Sequence, residues 1–276
     1  MAGMGSHVYR PGPPLNQFVE MIWTLAGEGQ AHARERLLPD GSVELVVDLA
    51  QERFCVYEHE DGTGGQSFRG SAIAGPQSRF FVIDTAEEFD VVGVHFRPGG
   101  AYPFLRVPGG EIHNVRVGLE DLWGARAVDL REQLLAAASP QARVLVMEQA
   151  LLSAGAGVME RHPAVAFALN AFHGTPEMGR IAEVTGRISL SPRRFIEVFT
   201  KDVGLTPKLF CRVRRFQRVL KMISGGASVD WAEVALSCGY FDQAHFNHDF
   251  RGFSGICPSR YLADRTEHYG HVPIRG

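Results

Sequence analysis

Two periodicities divide the chain. Across residues 37–98, apolar residues gather in short runs rich in β-branched and aromatic side chains, at 43–47, 53–57, 79–83 and 89–96. Turn-forming clusters separate them, such as Pro39-Asp40-Gly41, Gly75-Pro76 and Pro98-Gly99-Gly100. Runs of this kind predict strands joined by tight turns. With no long helix between them, they predict an antiparallel sandwich or barrel. Residues 15–25 fit either a short helix or a first strand. From about Leu119 the spacing of apolar residues becomes three and four, the helical period. Leu130, Leu134 and Leu135 share one face. Ser139-Pro140 reads as N-cap and first position of a helix carrying Val144, Leu145, Met147, Leu151 and Leu152. Gly155-Ala156-Gly157 ends that helix and His162-Pro163 opens the next, with Val165, Leu169 and Phe172. The expected fold is α+β in two domains. Residues 1–157 form an antiparallel β-barrel-like domain with trailing helices, residues 158–264 are all helical, and residues 265–276 are a tail.

The helical half repeats itself. Ala182-Glu183-Val184 recurs as Ala232-Glu233-Val234, and Phe195, Phe199, Gly204 and Pro207 recur as Phe246, Phe250, Gly255 and Pro258. The offset is fifty residues for the first set and fifty-one for the second, so one residue is inserted between two helices of the second unit. Each unit reads as helix, turn, helix. Ser191-Pro192 caps and opens the second helix of the first unit, and Asp242 caps that of the second. Phe195, Val198 and Phe199 face inward in one, and Phe246 and Phe250 in the other. The outward positions are Arg193, Arg194, Ile196, Glu197 and Lys201, and then Gln243, Ala244, His245, Asn247, His248 and Arg251. Between the units, residues 208–223 predict one amphipathic helix of about 24 Å, at 1.5 Å per residue. Arg212, Arg214, Arg215, Arg218 and Lys221 lie mostly off its apolar stripe.

Charge sharpens this picture. The chain has a formal net charge of -3, from 28 basic and 31 acidic residues. Residues 175–262 hold 13 of the basic and 8 of the acidic ones, a local charge of +5 against -8 elsewhere. A basic lobe on an acidic protein suits a polyanionic partner. Arg, Gln, Asn and His at the first turns of a helix match base edges in the major groove, while Arg and Lys neutralise phosphates. A rigid spacer between two such helices suits neighbouring major grooves about 34 Å apart.

These residues carry a resemblance. The segment from Gly239 to Tyr261, GYFDQAHFNHDFRGFSGICPSRY, and that from Ile181 to Phe210 are similar to the two halves of the DNA-binding domain of the AraC/XylS family of bacterial transcription regulators. The chain departs from the family at Ser189, where glycine is usual, and at Thr185, where alanine is usual. Gly186 within the first helix costs about 1 kcal/mol relative to alanine. The resemblance implies sequence-specific binding of double-stranded DNA. Base contacts would come from Arg193, Ile196, Glu197, Gln243, Ala244, His245 and His248. Phosphate contacts would come from Arg194, Lys201, Arg212, Arg215 and Arg251. Glu197 would either accept from a cytosine or pair with Arg193 or Lys201. RNA polymerase would be a partner of an activator, and a homodimer is one expected form.

The family's other domain is a sensor or dimerisation module, often cupin-like. The segments RLLPDGSVELVVDL, from Arg36, and VVGVHFRPGGAYPFL, from Val91, resemble a recurrent domain paired with this DNA-binding domain. A barrel of that size holds one small molecule. Tyr57, Phe81, His95, Phe96 and Tyr102 are the candidates for an effector pocket. The alternatives are a β-domain that only dimerises, or a barrel enzyme targeted to DNA. Little favours the enzyme. The cupin metal pattern would need a second histidine where His95-Phe96-Arg97 has arginine, and His59, His95 and His113 form no ligand set by spacing. No Gly-x-Ser-x-Gly occurs, and Cys55 has no evident histidine partner. No cofactor, metal or catalytic residue is therefore expected. Four cysteines without CxxC spacing, no apolar span and no apolar N-terminal leader fit a cytoplasmic protein without membrane contact.

Overall fold

The computed structural model describes residues 5–30, 32–157, 159–174, 179–224, 229–266 and 269–274. Its first part is strand-rich: β1 (Gly5–Tyr9), β2 (Val19–Gly27), β3 (Arg34–Leu37), β4 (Glu44–Asp48), β5 (Arg53–Tyr57), β6 (Gln66–Arg69), β7 (Ser71–Ala74), β8 (Phe81–Asp84), β9 (Phe89–Phe96) and β10 (Arg116–Gly118). A short helix, α1 (Tyr102–Leu105), precedes β10, and α2 (Leu119–Trp123), α3 (Ala125–Ala136) and α4 (Pro140–Gly155) follow it. The second part is helical: α5 (Pro163–Gly174), α6 (Gly179–Arg187), α7 (Pro192–Val203), α8 (Pro207–Ile223), α9 (Trp231–Ser237), α10 (Gln243–Ser254) and α11 (Pro258–Asp264). A last strand, β11 (His271–Pro273), closes the order.

The strands form two antiparallel sheets. The first runs β1-β2-β9-β4-β7-β10 and the second β11-β3-β8-β5-β6. Alternation along β9 gives the first sheet two different faces. Val92, Val94 and Phe96 are wholly buried and pack with Ile22, Leu45, Leu134 and Met147, beneath the helices α2–α4. Val91 faces the other way, into the space between the sheets. Gly93 shares that inner side. A Cβ there would lie 2.1 Å from the Trp23 indole, so only glycine lets the ring cross the strand. Residues 15–25, ambiguous in sequence, are a 3₁₀ turn at Leu15–Gln17 followed by β2.

The helical lobe is organised by phenylalanine. Phe195, Phe199, Phe216, Phe246 and Phe250 are wholly buried, with neighbouring ring centroids 5.2–5.7 Å apart. The repeat has a physical cause. Gly204 (φ +85) and Gly255 (φ +74) both end their helices in the left-handed conformation, and Pro207 and Pro258 then start the next ones. Ser189 is not among the positive-φ residues, unlike Gly239 (φ +80), so the first unit's turn does not need the family's glycine.

The lobe is welded to the β-rich part. Their shared core includes Leu38 and Val272 beside the phenylalanines. Gln217 of α8 donates to the Pro39 carbonyl at 2.7 Å, and the Phe80 amide donates to the Phe253 carbonyl at 2.9 Å. The chain end, expected as a tail, contains β11, which pairs with β3 in the register His271↔Leu37, Val272↔Arg36, Pro273↔Glu35. The Tyr269 hydroxyl just before it lies 2.9 Å from the Gln217 carbonyl. None of the helices among the described residues is long and apolar enough to cross a membrane.

Candidate nucleic-acid interface and effector cavity

The two candidate recognition helices begin alike. Ser191 accepts from the Arg194 amide at 3.3 Å and fixes the first turn of α7, while Asp242 accepts from the His245 amide at 2.7 Å and fixes that of α10. The caps leave the other first-turn amides pointing outward, a setting that favours an anion. Arg193, Arg194, Ile196, Glu197 and Lys201 are exposed on α7, and Gln243, Ala244, His248 and Arg251 on α10. His245 is half-buried, edge-on to Tyr240 with ring centroids 5.3 Å apart. Glu197 bridges Arg193 and Arg194 at 3.2 Å each, and these hydrogen bonds hold its carboxyl below the usual carboxylate range. In the free protein, then, Glu197 pairs within its own helix, and its partners are Arg193 and Arg194 rather than Lys201. The Lys201 ammonium stands 5.8 Å from the Tyr102 ring centroid, on the side of α7 turned to the β-rich part.

Two of the expected phosphate contacts are corrected. Arg215 is 2% exposed. It donates to the Gly239 carbonyl at 2.9 Å and covers the Tyr240 ring. Arg212 grips the buried Asp249 through both Nη2 (2.7 Å) and Nε (3.3 Å). Asp249 is itself 2% exposed, and Arg215 stands 4.0 Å from it. These arginines fasten α8 to α10 and neutralise a buried carboxylate, so their guanidinium groups are already engaged within the lobe. Buried ions persist only when so paired. On α8, Arg214 is half-buried, while Arg218 and Lys221 are exposed.

Between the sheets lies a cavity of about 1130 Å³. Its apolar lining includes Trp23, Leu25, Val46, Phe54, Phe68 and Phe81, and its polar lining includes Glu35, Glu44, Arg116 and His271. Of the five expected pocket residues only Phe81 lies here, and the other four are corrected. Phe96 is on the opposite face of its strand, its ring tilted against that of Phe104 with centroids 5.5 Å apart. His95 is beyond the cavity, 3.2 Å from Asp40. Tyr57 donates to Asp84 at 2.8 Å, which raises its hydroxyl to a pKa of about 12. Tyr102 belongs to the contact with α7. Arg116 and Glu44 escaped sequence reading, because a charged residue in a strand reads as a solvent-facing position. Burial pushes the Glu44 carboxyl above its ordinary value, while the Trp23 indole donates to it at 2.9 Å. Glu35 is held between His32 (2.5 Å) and His271 (2.8 Å). The described residues contain no cluster of three or more His, Cys, Asp or Glu able to hold a metal.

Known proteins add to this geometry. Residues 184–264 match a family described as a helix-turn-helix domain, and residues 7–118 match a domain of unknown function, DUF6597. No curated protein matches the chain. Among solved structures, ToxT from Vibrio cholerae is 11% identical, covering 88% of this chain and 98% of its own, with a TM-score of 0.46. Unsaturated fatty acid bound wild-type ToxT from Vibrio cholerae strain SCE256 is 8% identical, covering 87% of this chain and 94% of its own, with a TM-score of 0.48. The xylose-binding transcription activator xylR is 17% identical over 46% of this chain and 38% of its own, with a TM-score of 0.34. With a duplicated helix–turn–helix capped and packed as its residues require, residues 184–264 form a helix-turn-helix domain that follows a domain of unknown function at residues 7–118, the order that the resemblance to AraC/XylS regulators implied.

Proposed function

We propose that this regulator reads a specific duplex site with the first turns of α7 and α10. Arg193, Ile196, Glu197, Gln243, Ala244, His245 and His248 face base edges, and Arg194, Lys201 and Arg251 neutralise phosphates. The observation that carries this reading is the pairing of side-chain caps with exposed polar first turns on both helices. Helix α8, 17 residues and so about 25 Å long, joins the two units. The Glu197 bridges hold Arg193 and Arg194 erect, and both exchange this partner for guanine or phosphate on binding. Ile196 and Ala244 suit thymine methyl groups.

The cavity between the sheets is the seat of a small-molecule effector. Its occupancy reaches the helical lobe through β11, since His271 lines the cavity while Tyr269 touches Gln217 of α8. The protein works in the cytoplasm and does no catalysis of its own. The test is a gel shift on DNA from the chain's own upstream region, at graded salt, with and without candidate metabolites. Specific retardation that weakens steeply with salt supports DNA reading. Affinity that no metabolite changes would reduce the β-rich part to a dimerising or bracing module.

A further inference from the structure

Resting on the effector reading above, we infer that the cavity between the sheets takes an organic monocarboxylate with an apolar body, its carboxylate paired with the Arg116 guanidinium. Arg116 sits on β10, at the edge of the first sheet, and is 7% exposed. Its side chain crosses to the second sheet and stacks on Phe81, the guanidinium carbon 4.4 Å from the ring centroid. Its Nε is buried without a hydrogen-bond partner. No described carboxylate is ion-paired with it; Glu58 acts on it only from a distance. Burial lowers its pKa to about 10, so it remains a cation at neutral pH. A buried, uncompensated cation is unfavourable unless a counter-charge is supplied.

The buried and half-buried acids of the wall do not supply it, because they are already engaged, and Glu87 and Glu88 are exposed. Glu35 is bonded to His32 and His271, Asp48 accepts from the Ala50 and Gln51 amides, and Glu60 pairs with Arg36 at 2.6 Å. Glu44 accepts from Trp23, and its raised pKa favours the uncharged form. The guanidinium therefore faces the cavity with its fork open, and a planar carboxylate matches that fork in two parallel hydrogen bonds. Arg34, which also lines the cavity, pairs with Asp84, and Arg53 is exposed, so the buried unpaired cation is Arg116 and it calls for one negative charge; a dianion would leave excess charge among Glu35 and Glu44. Trp23, Leu25, Phe54 and Phe68 supply the surface for the ligand's apolar part, and the volume admits a molecule of metabolite size.

The full-length protein is titrated with phenylacetate, indole-3-acetate and 4-phenylbutyrate, each against its primary amide, by calorimetry and thermal shift. At least one acid is expected to bind about tenfold or more tightly than its amide, the difference of one charge-assisted contact, and to raise Tm. Arg116→Met should erase that preference and Arg116→Lys should retain part of it. The Arg116→Met protein without ligand should melt no lower than wild type, because it removes an unpaired buried charge. That readout shows that it folds and that Arg116 is not a structural brace. The assignment is overturned if no acid binds, if amides match acids, or if Arg116→Met still prefers the acid. DNA affinity measured alongside separates the two readings. Amides that bind equally and alter DNA affinity leave the effector reading standing without the charge assignment. Acids that bind through Arg116 and leave DNA affinity unchanged support the ligand and remove the effector.

Discussion

Replacing Arg212 by methionine tests whether α8's arginines hold the lobe together or hold DNA. Arg212 makes both hydrogen bonds to Asp249, whose side chain is 2% exposed. Removing one partner of a buried pair costs about 3–5 kcal/mol, because the remaining charge stays buried. Arg212 is itself a third exposed, and Arg215 remains 4.0 Å from the carboxylate, so the lower end, about 3 kcal/mol, applies. Urea denaturation followed by circular dichroism reads the change as a lower midpoint with an unchanged slope. Asp249→Asn should fall by a similar amount. The double replacement should lose less than the two singles together, the signature of coupled neighbours. The salt dependence of DNA binding should meanwhile stay as in wild type. A stability loss under about 1 kcal/mol, the worth of an exposed pair, would refute the reasoning. So would a salt slope shallower by about one phosphate contact, for it would return Arg212 to the backbone of the duplex.

Four further outcomes follow from the geometry. Arg251→Ala, on the exposed side of α10, should leave the denaturation midpoint in place and reduce the logarithmic salt slope by about 0.9, one phosphate's worth, in gel shifts at graded salt. Gly186→Ala should stabilise the lobe by up to about 1 kcal/mol, because α6 continues through an exposed position with open space for a Cβ. Gly204→Ala should instead destabilise it in the same melts, since φ is +85 and the added carbon would lie 2.4 Å from Pro76. Glu35 gives a pH signature. Burial alone would raise its carboxyl, but the hydrogen bonds and charges of His271 and His32 outweigh burial and set it below its usual 4.5. Its contribution is therefore complete above about pH 4.5 and is lost as pH falls through the lower folded value; Glu35→Gln should flatten that acid limb of the stability curve.

What the sequence disclosed is what local chemistry determines. Proline after a capping serine, glycine where a helix must turn left-handed, and phenylalanine at three- and four-residue spacing mark α7, α8 and α10 without knowledge of the fold. The strands at 44–48, 53–57 and 89–96 were legible for the same reason, since alternation and β-branching act locally. Tertiary packing hid the rest. A helical wheel distinguishes apolar from polar faces, but not a solvated arginine from one packed on a neighbouring helix, so Arg212 and Arg215 read as phosphate ligands. Aromatic content likewise does not tell which side of a sheet a ring occupies. Phe96 and Phe81 look alike in sequence, yet one lies under the helices and the other in the cavity. Three residues at 271–273 have too little pattern to announce a strand, and their pairing with β3 spans more than two hundred residues.

The central claim is that α7 and α10 each read their own stretch of one duplex. Hydroxyl-radical footprinting on the upstream DNA, with wild type, Arg193→Ala and His245→Ala compared side by side, tests it most directly. The account predicts two protected stretches about one helical turn, 10 base pairs, apart. Arg193→Ala should weaken protection of one stretch and His245→Ala that of the other. No protection at low salt, or one stretch that fades equally in both variants, would contradict it.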